Sequence, residues 1–101
     1  MHIRARHQNN TTTAALYGEL DHHTADIAKS GLDEIIQKYK QSNLVLDLAH
    51  LTFMDSSGLG VLLGRYKRLK AGGAAMYIKN PGKQIDKVFK VSGIYRIIKK
   101  I

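Results

Sequence analysis

A short apolar run, Asn43-Leu44-Val45-Leu46-Asp47-Leu48, precedes Phe53-Met54-Asp55-Ser56-Ser57-Gly58-Leu59-Gly60, and Leu59, Leu62, Leu63, Tyr66 and Leu69 then recur at helical spacing. This hand-over from an interior strand to an amphipathic helix constrains the chain more than any other feature. It calls for parallel strands joined by right-handed helical crossovers. It also puts Ser56 and Ser57 at or beside a helix N-cap, where main-chain amides lack partners and an anion is welcome.

The remaining elements follow the same logic. His2 to His7 alternates weakly, Gln8-Asn9-Asn10 offers turn chemistry, and Thr12 to Leu20 reads as a second strand, so an N-terminal hairpin is expected over about residues 2–20. Asp21 or Thr24 can cap a helix carrying Ala25, Ala28, Leu32, Ile35 or Ile36, and Tyr39, with Glu34 and Lys38 paired on its wet side. The central strand is expected at Leu44–Leu48 and the second helix from about Ser57 to Ala71, stopped by Gly72-Gly73. Ala74–Lys79 reads as a strand, Asn80-Pro81-Gly82 as a turn, and Ile85, Val88 and Phe89 as one face of a third helix ending at Ser92-Gly93. Ile94–Ile101 is expected to be a last short strand. The whole is an α/β fold: one domain over 1–101, a mixed four- to five-stranded sheet with a parallel core, packed by about three helices.

Glycines in the second helix need a cause, since each interior glycine costs about 1 kcal/mol relative to alanine. Close packing on the sheet accounts for Gly64. Gly58 and Gly60, beside the serines, read instead as clearance for a partner, with Leu59 and Val61 offering it apolar contact away from the core stripe. Asp55 either positions a neighbouring hydroxyl or caps the helix, Ser56 reads as a structural hydroxyl near the cap, and both are also candidate partner contacts.

Sixteen Lys+Arg against eight Asp+Glu give a formal charge of +8. The basic residues are scattered, with no run interleaved with aromatics, no tryptophan, and two phenylalanines that read as core. Solvated helix faces explain most of them, and attraction to an acidic protein partner is a better use than direct nucleic-acid binding. The absence of cysteine excludes disulfides and thiolate metal sites, no apolar run reaches membrane length, and Met1-His2-Ile3-Arg4 does not begin a signal peptide, so a cytoplasmic protein without cofactor is expected. Enzyme readings fare poorly. His22-His23 lacks the spacing of a zinc site, no histidine follows Ser57 to complete a hydrolase triad, and Gly58-Leu59-Gly60 is no phosphate loop.

Three blocks in order, Gly18-Glu19-Leu20-Asp21-His22-His23, Phe53-Met54-Asp55-Ser56-Ser57-Gly58-Leu59-Gly60 and Val88-Phe89-Lys90-Val91-Ser92-Gly93-Ile94, resemble the STAS-domain anti-anti-sigma factors, nearest to their sporulation branch. The resemblance implies a regulator, not an enzyme. Unphosphorylated, it would bind an anti-sigma factor that is itself a serine kinase, releasing a sigma factor. Phosphorylation of the second serine, here Ser57, would block binding, and a PP2C-type, metal-dependent serine phosphatase would reset it. Asp21 and His22 are carried over as partner contacts, and the free protein is expected to be a monomer. Such proteins commonly continue into a C-terminal helix beyond the position of Ile101, so its packing is not expected here. Other readings are a STAS scaffold module in a stress or sensor assembly and, more remotely, a basic nucleic-acid-binding domain.

Overall fold

The computed structural model describes residues 1–101. Asn9 and Asn10, with φ of 52° and 62°, form the tight turn that joins β1 (His2–Gln8) to β2 (Thr11–Leu20) as an antiparallel hairpin. From β2 the chain alternates through α1 (Ala25–Lys38), β3 (Asn43–Met54), α2 (Ser56–Ala71), β4 (Met76–Lys79) and α3 (Lys83–Ser92). A 3-10 turn at Ile94–Arg96 then leads into β5 (Lys99–Lys100). Strand order is β1-β2-β3-β4-β5, with β2 through β5 parallel. Each right-handed crossover therefore advances one strand in the same direction, which lays all three helices on one face of the sheet.

The core lies between that face and the helices. Ala14, Leu16, Leu44, Leu46, Met76 and Ile78 from the strands meet Ala28, Leu32, Val61, Leu62, Ile85 and Phe89 from the helices in one cluster. Gly31 lets α1 approach β1, since a Cβ there would stand 2.8 Å from Ile3 Cδ1.

Several expectations need correction. β3 runs to Met54, well past Leu48, because two register shifts opposite Ala15/Tyr17 and Gly18/Glu19 stretch the spacing of its inward residues from two to three: Leu46, Leu48, Leu51, Met54. Phe53 is not core. It points outward beside the buried Met54 and is 38% exposed. The β4 strand starts only at Met76, because Ala74 and Ala75 turn their amides to Leu69 O and Asn43 Oδ1. Of Ile94–Ile101 only Lys99–Lys100 is strand; Ile94–Arg96 is a 3-10 turn, and Ile94 and Ile98 plug the core. Glu34 and Lys38 form no ion pair; Lys38 Nζ sits 5.3 Å from the Tyr39 ring centroid instead. Gly64 is not a packing glycine, since an added Cβ would meet nothing within 4 Å.

Two carboxylates, Asp33 and Asp86, collect the ion pairs of the helical side. Arg65 and Arg68 of α2 both reach Asp33 of α1, at 3.1 and 3.0 Å. Asp86 of α3 gathers Lys90, Lys100 and the Tyr95 hydroxyl, tying the last turn and β5 to the helix. The Tyr95 hydrogen bond, followed by those from Lys90 and Lys100, holds the Asp86 carboxyl well below its ordinary range. Desolvation and the Asp86 charge push the Tyr95 hydroxyl well above its own.

Candidate functional site

The carboxyl ends of parallel strands are where an open α/β sheet presents its binding crevice. Here β2 and β3 end side by side, Leu20 opposite Met54, and the Asp55 amide donates to Leu20 O at 3.4 Å. The Asp21 turn and the serine turn therefore emerge together, as their positions in sequence suggest.

Asp55 is the N-cap of α2. Its extended backbone (φ −122°) lets Oδ1 accept from the Ser57 amide at 2.9 Å and the Gly58 amide at 3.3 Å. Ser56 and Ser57 occupy the first two helical positions, Ser56 exposed and Ser57 half-buried. Ser57 joins this network through its main-chain amide, and its hydroxyl remains available. The first turn holds no acidic residue of its own, so the Asp55 carboxylate alone meets the positive helix end.

Gly58 is not clearance for a partner. It is buried, and a Cβ there would stand 2.9 Å from Leu20 O and 2.6 Å from Met54 Cγ. The missing side chain is what lets α2 start against the end of β2. Val61 is likewise not a surface contact, being fully buried in the core cluster. Helix α2 is rotated so that Gly58, Val61, Leu62 and Leu69 face inward, while Leu59 lies at the margin. Gly60 is exposed, and a Cβ there would touch nothing.

On the β2 side, Asp21 Oδ1 accepts from the His23 amide at 2.9 Å and the Thr24 amide at 3.2 Å, while Thr24 Oγ1 donates to Glu19 O at 2.9 Å. Thr24 is the N-cap position of α1, but its hydroxyl is spent on this turn and makes no cap bond. Desolvation works against the Asp21 charge; the His23 and Thr24 amides, with the two histidine rings behind them, outweigh it and hold the carboxyl below its usual value. His22 is exposed, its ring 3.9 Å from that of His23.

Two features of the site escaped the sequence reading. Gln84 clamps the Met54 peptide from both sides, Oε1 accepting from Met54 N at 3.3 Å and Nε2 donating to Met54 O at 3.1 Å. This fixes α3 against the residue that precedes Asp55. Between α2 and α3 lies a groove of about 400 Å³ lined by Asp55, Ser56, Leu59, Lys87, Val88 and Val91. Val91 is 80% exposed, an apolar residue outside the inward stripe of α3. That misplacement is the signal the sequence did carry. No group of three or more His, Cys, Asp or Glu side chains converges to hold a metal, and no helix is long and apolar enough to cross a membrane.

The STAS domain family model matches residues 2–101. The chain is similar to the anti-sigma F factor antagonist of Paenibacillus polymyxa, with 39% identity over 98 residues, 97% of this chain and 84% of that relative. Among solved structures it is similar to the anti-sigma factor antagonist SpoIIAA in its unphosphorylated form (TM-score 0.79, 29% identity, 99% of this chain and 88% of that one). The Bacillus cell fate determinant SpoIIAA in the phosphorylated form aligns with a TM-score of 0.74 at 29% identity, over 99% of this chain and 91% of that one.

Proposed function

The chain belongs to the STAS-domain family, and on that premise we propose that it is an anti-sigma factor antagonist switched by phosphorylation of Ser57. Unphosphorylated, it binds an anti-sigma factor that is also a serine kinase and so frees a sigma factor. The kinase transfers the γ-phosphoryl group of ATP to Ser57 Oγ, which loses its proton, and ADP leaves. A PP2C-type phosphatase hydrolyses the ester and restores the binding form. Sporulation is the favoured setting, since the relative from Paenibacillus polymyxa is named an anti-sigma F factor antagonist.

The observation that carries this reading is the place of Ser57. Its hydroxyl is free, half-exposed, in the first turn of α2 where β2 and β3 end, next in sequence to Ser56, which lines the groove with Leu59, Val88 and Val91. Phosphorylation there adds about −1.5 to −2 charges. The Ser57 and Gly58 amides are already taken by Asp55, so the new charge relies on the helix dipole and on water. Free in solution, the fold tolerates this. Against a partner surface shaped for a neutral hydroxyl, stranding that charge costs several kcal/mol, and about 1.4 kcal/mol is already tenfold in affinity.

Incubation with the cognate anti-sigma kinase and ATP tests the proposal. Label is expected on Ser57, to be lost in Ser57→Ala and kept in Ser56→Ala, while Ser57→Asp weakens the complex. Labelling that survives Ser57→Ala would overturn the assignment. Phosphorylated and free forms are expected to share a backbone, so amide chemical shifts should move only near the first turn of α2.

A further inference from the structure

One face of the sheet carries three helices; the other carries none. Parallel sheets usually have both faces covered. Reading the registers across the bare face, one row runs Arg6, Thr13, Val45, Tyr77, Lys99. The next runs Arg4, Ala15, Asp47, Lys79, and a third His2, Tyr17, His50. Val45 marks the separation of the faces: it is buried, yet it is the one buried apolar residue outside the core cluster.

Four cations stand on this face, Arg4, Arg6, Lys79 and Lys99, and none of them enters an ion pair. The carboxylate among them, Asp47, is engaged by the Ala49 amide at 3.1 Å and by Asn80 Nδ2 at 3.3 Å. Arginines line β1 at one border and lysines line β4 and β5 at the other, with small residues and half-buried tyrosines between. Stacking is already in use there: Tyr17 lies 4.7 Å from the His50 ring at 4° between planes, and the Arg4 guanidinium sits 5.9 Å from the Tyr17 centroid.

We propose that this open face binds single-stranded nucleic acid. Arg4 and Arg6, about 6.8 Å apart along β1, take successive backbone phosphates, and unpaired bases lie over Tyr77 and the small residues beside it. Sheet faces with aromatic and basic side chains bind single strands in this way, the cations tracking the backbone and the rings stacking on bases. A duplex fits worse, because the flat face offers no element to enter a groove. A second copy of the chain would set like charges against each other. An acidic polypeptide would answer the cations and leave the tyrosines unmatched. Four of the sixteen basic residues are thus brought to one face beside tyrosines, against the expectation that the chain has no direct nucleic-acid contact.

Fluorescence anisotropy of the full chain with labelled oligo(dT) of about 20 nucleotides tests this. Four phosphate contacts predict about a fiftyfold loss of affinity between about 50 and 200 mM salt, and Arg4→Ala/Arg6→Ala should reduce that loss to about sevenfold. Tyr77→Thr should weaken binding about tenfold at fixed salt. The charge-matched Lys29→Ala/Lys67→Ala on the helical side, and Ser57→Ala, should leave binding unchanged. Circular dichroism verifies the fold of each variant; should Tyr77→Thr misfold, the exposed arginine pair decides alone. Absence of binding near physiological salt, equal loss in the helical-side variant, equal affinity for duplex, or equally effective displacement by polyglutamate would each overturn the proposal.

Discussion

Alanine at Gly58, compared with alanine at Gly64 of the same helix, separates packing from propensity. At Gly64 an added Cβ meets nothing within 4 Å, so the variant gains helix propensity and loses unfolded-chain entropy, about 0.5–1 kcal/mol of stabilisation. At Gly58 the same methyl lands 2.6 Å from Met54 Cγ and 2.9 Å from Leu20 O. Met54 can rotate, but the Leu20 carbonyl is main chain, fixed opposite Met54 in the sheet and bonded to the Asp55 amide. Relief requires α2 to lift from β2, and overpacking of this kind costs about 1–3 kcal/mol, more than propensity returns. We expect Gly58→Ala to be net destabilised by about 1 kcal/mol or more, so that the two variants differ by about 8 °C in Tm at about 4 °C per kcal/mol. Urea denaturation and thermal melts by circular dichroism measure both. A Gly58→Ala protein as stable as Gly64→Ala would refute the close approach of α2 to β2.

Gly60→Ala should also stabilise the free chain, by about 0.5–1 kcal/mol, yet weaken binding to the anti-sigma factor in a titration if its bare surface admits the partner. Asp55→Ala removes the acceptor for two α2 amides and should cost about 1 kcal/mol in urea unfolding. Asp86→Asn should lower stability at neutral pH, and hydrogen exchange should report earlier opening of Lys99–Lys100. Because the folded carboxyl of Asp86 titrates below its unfolded value, its contribution is present above about pH 4 and is lost as pH falls through the carboxylate range. Wild type and Asp86→Asn should therefore converge in acid, and a gap that persists there would count against the clasp.

The serine turn was legible because its signals are local: a capping Asp55, two small hydroxyl residues and an apolar strand before them. The asparagine hairpin and the left-handed stops at Gly73 and Gly93 were legible for the same reason. What depends on other segments was not. The two register shifts in β3 are set by pairing with β2, and they disguise a long strand as a short one. The phase of α2 was misread because glycines at 58, 60 and 64 dilute its periodicity, leaving Val61 free to be assigned to either side. Gly58 looked like a surface glycine because the Leu20 carbonyl it accommodates lies far upstream in sequence. Gln84, distant from Met54 along the chain, gave no signal at all.

Spatial neighbours in this sheet are also neighbours in sequence, so no strand must be threaded between two that are already in place. Assembly can begin at the long β2–β3 pairing and extend outward one unit at a time, each step closing a single modest loop. The margins then differ in persistence. β1 is secured along its whole length by β2, whereas β5 pairs Tyr77 and Ile78 through Lys99 and Lys100 with one further bond from the Ile101 amide to Ile78 O, and it is the border expected to open first.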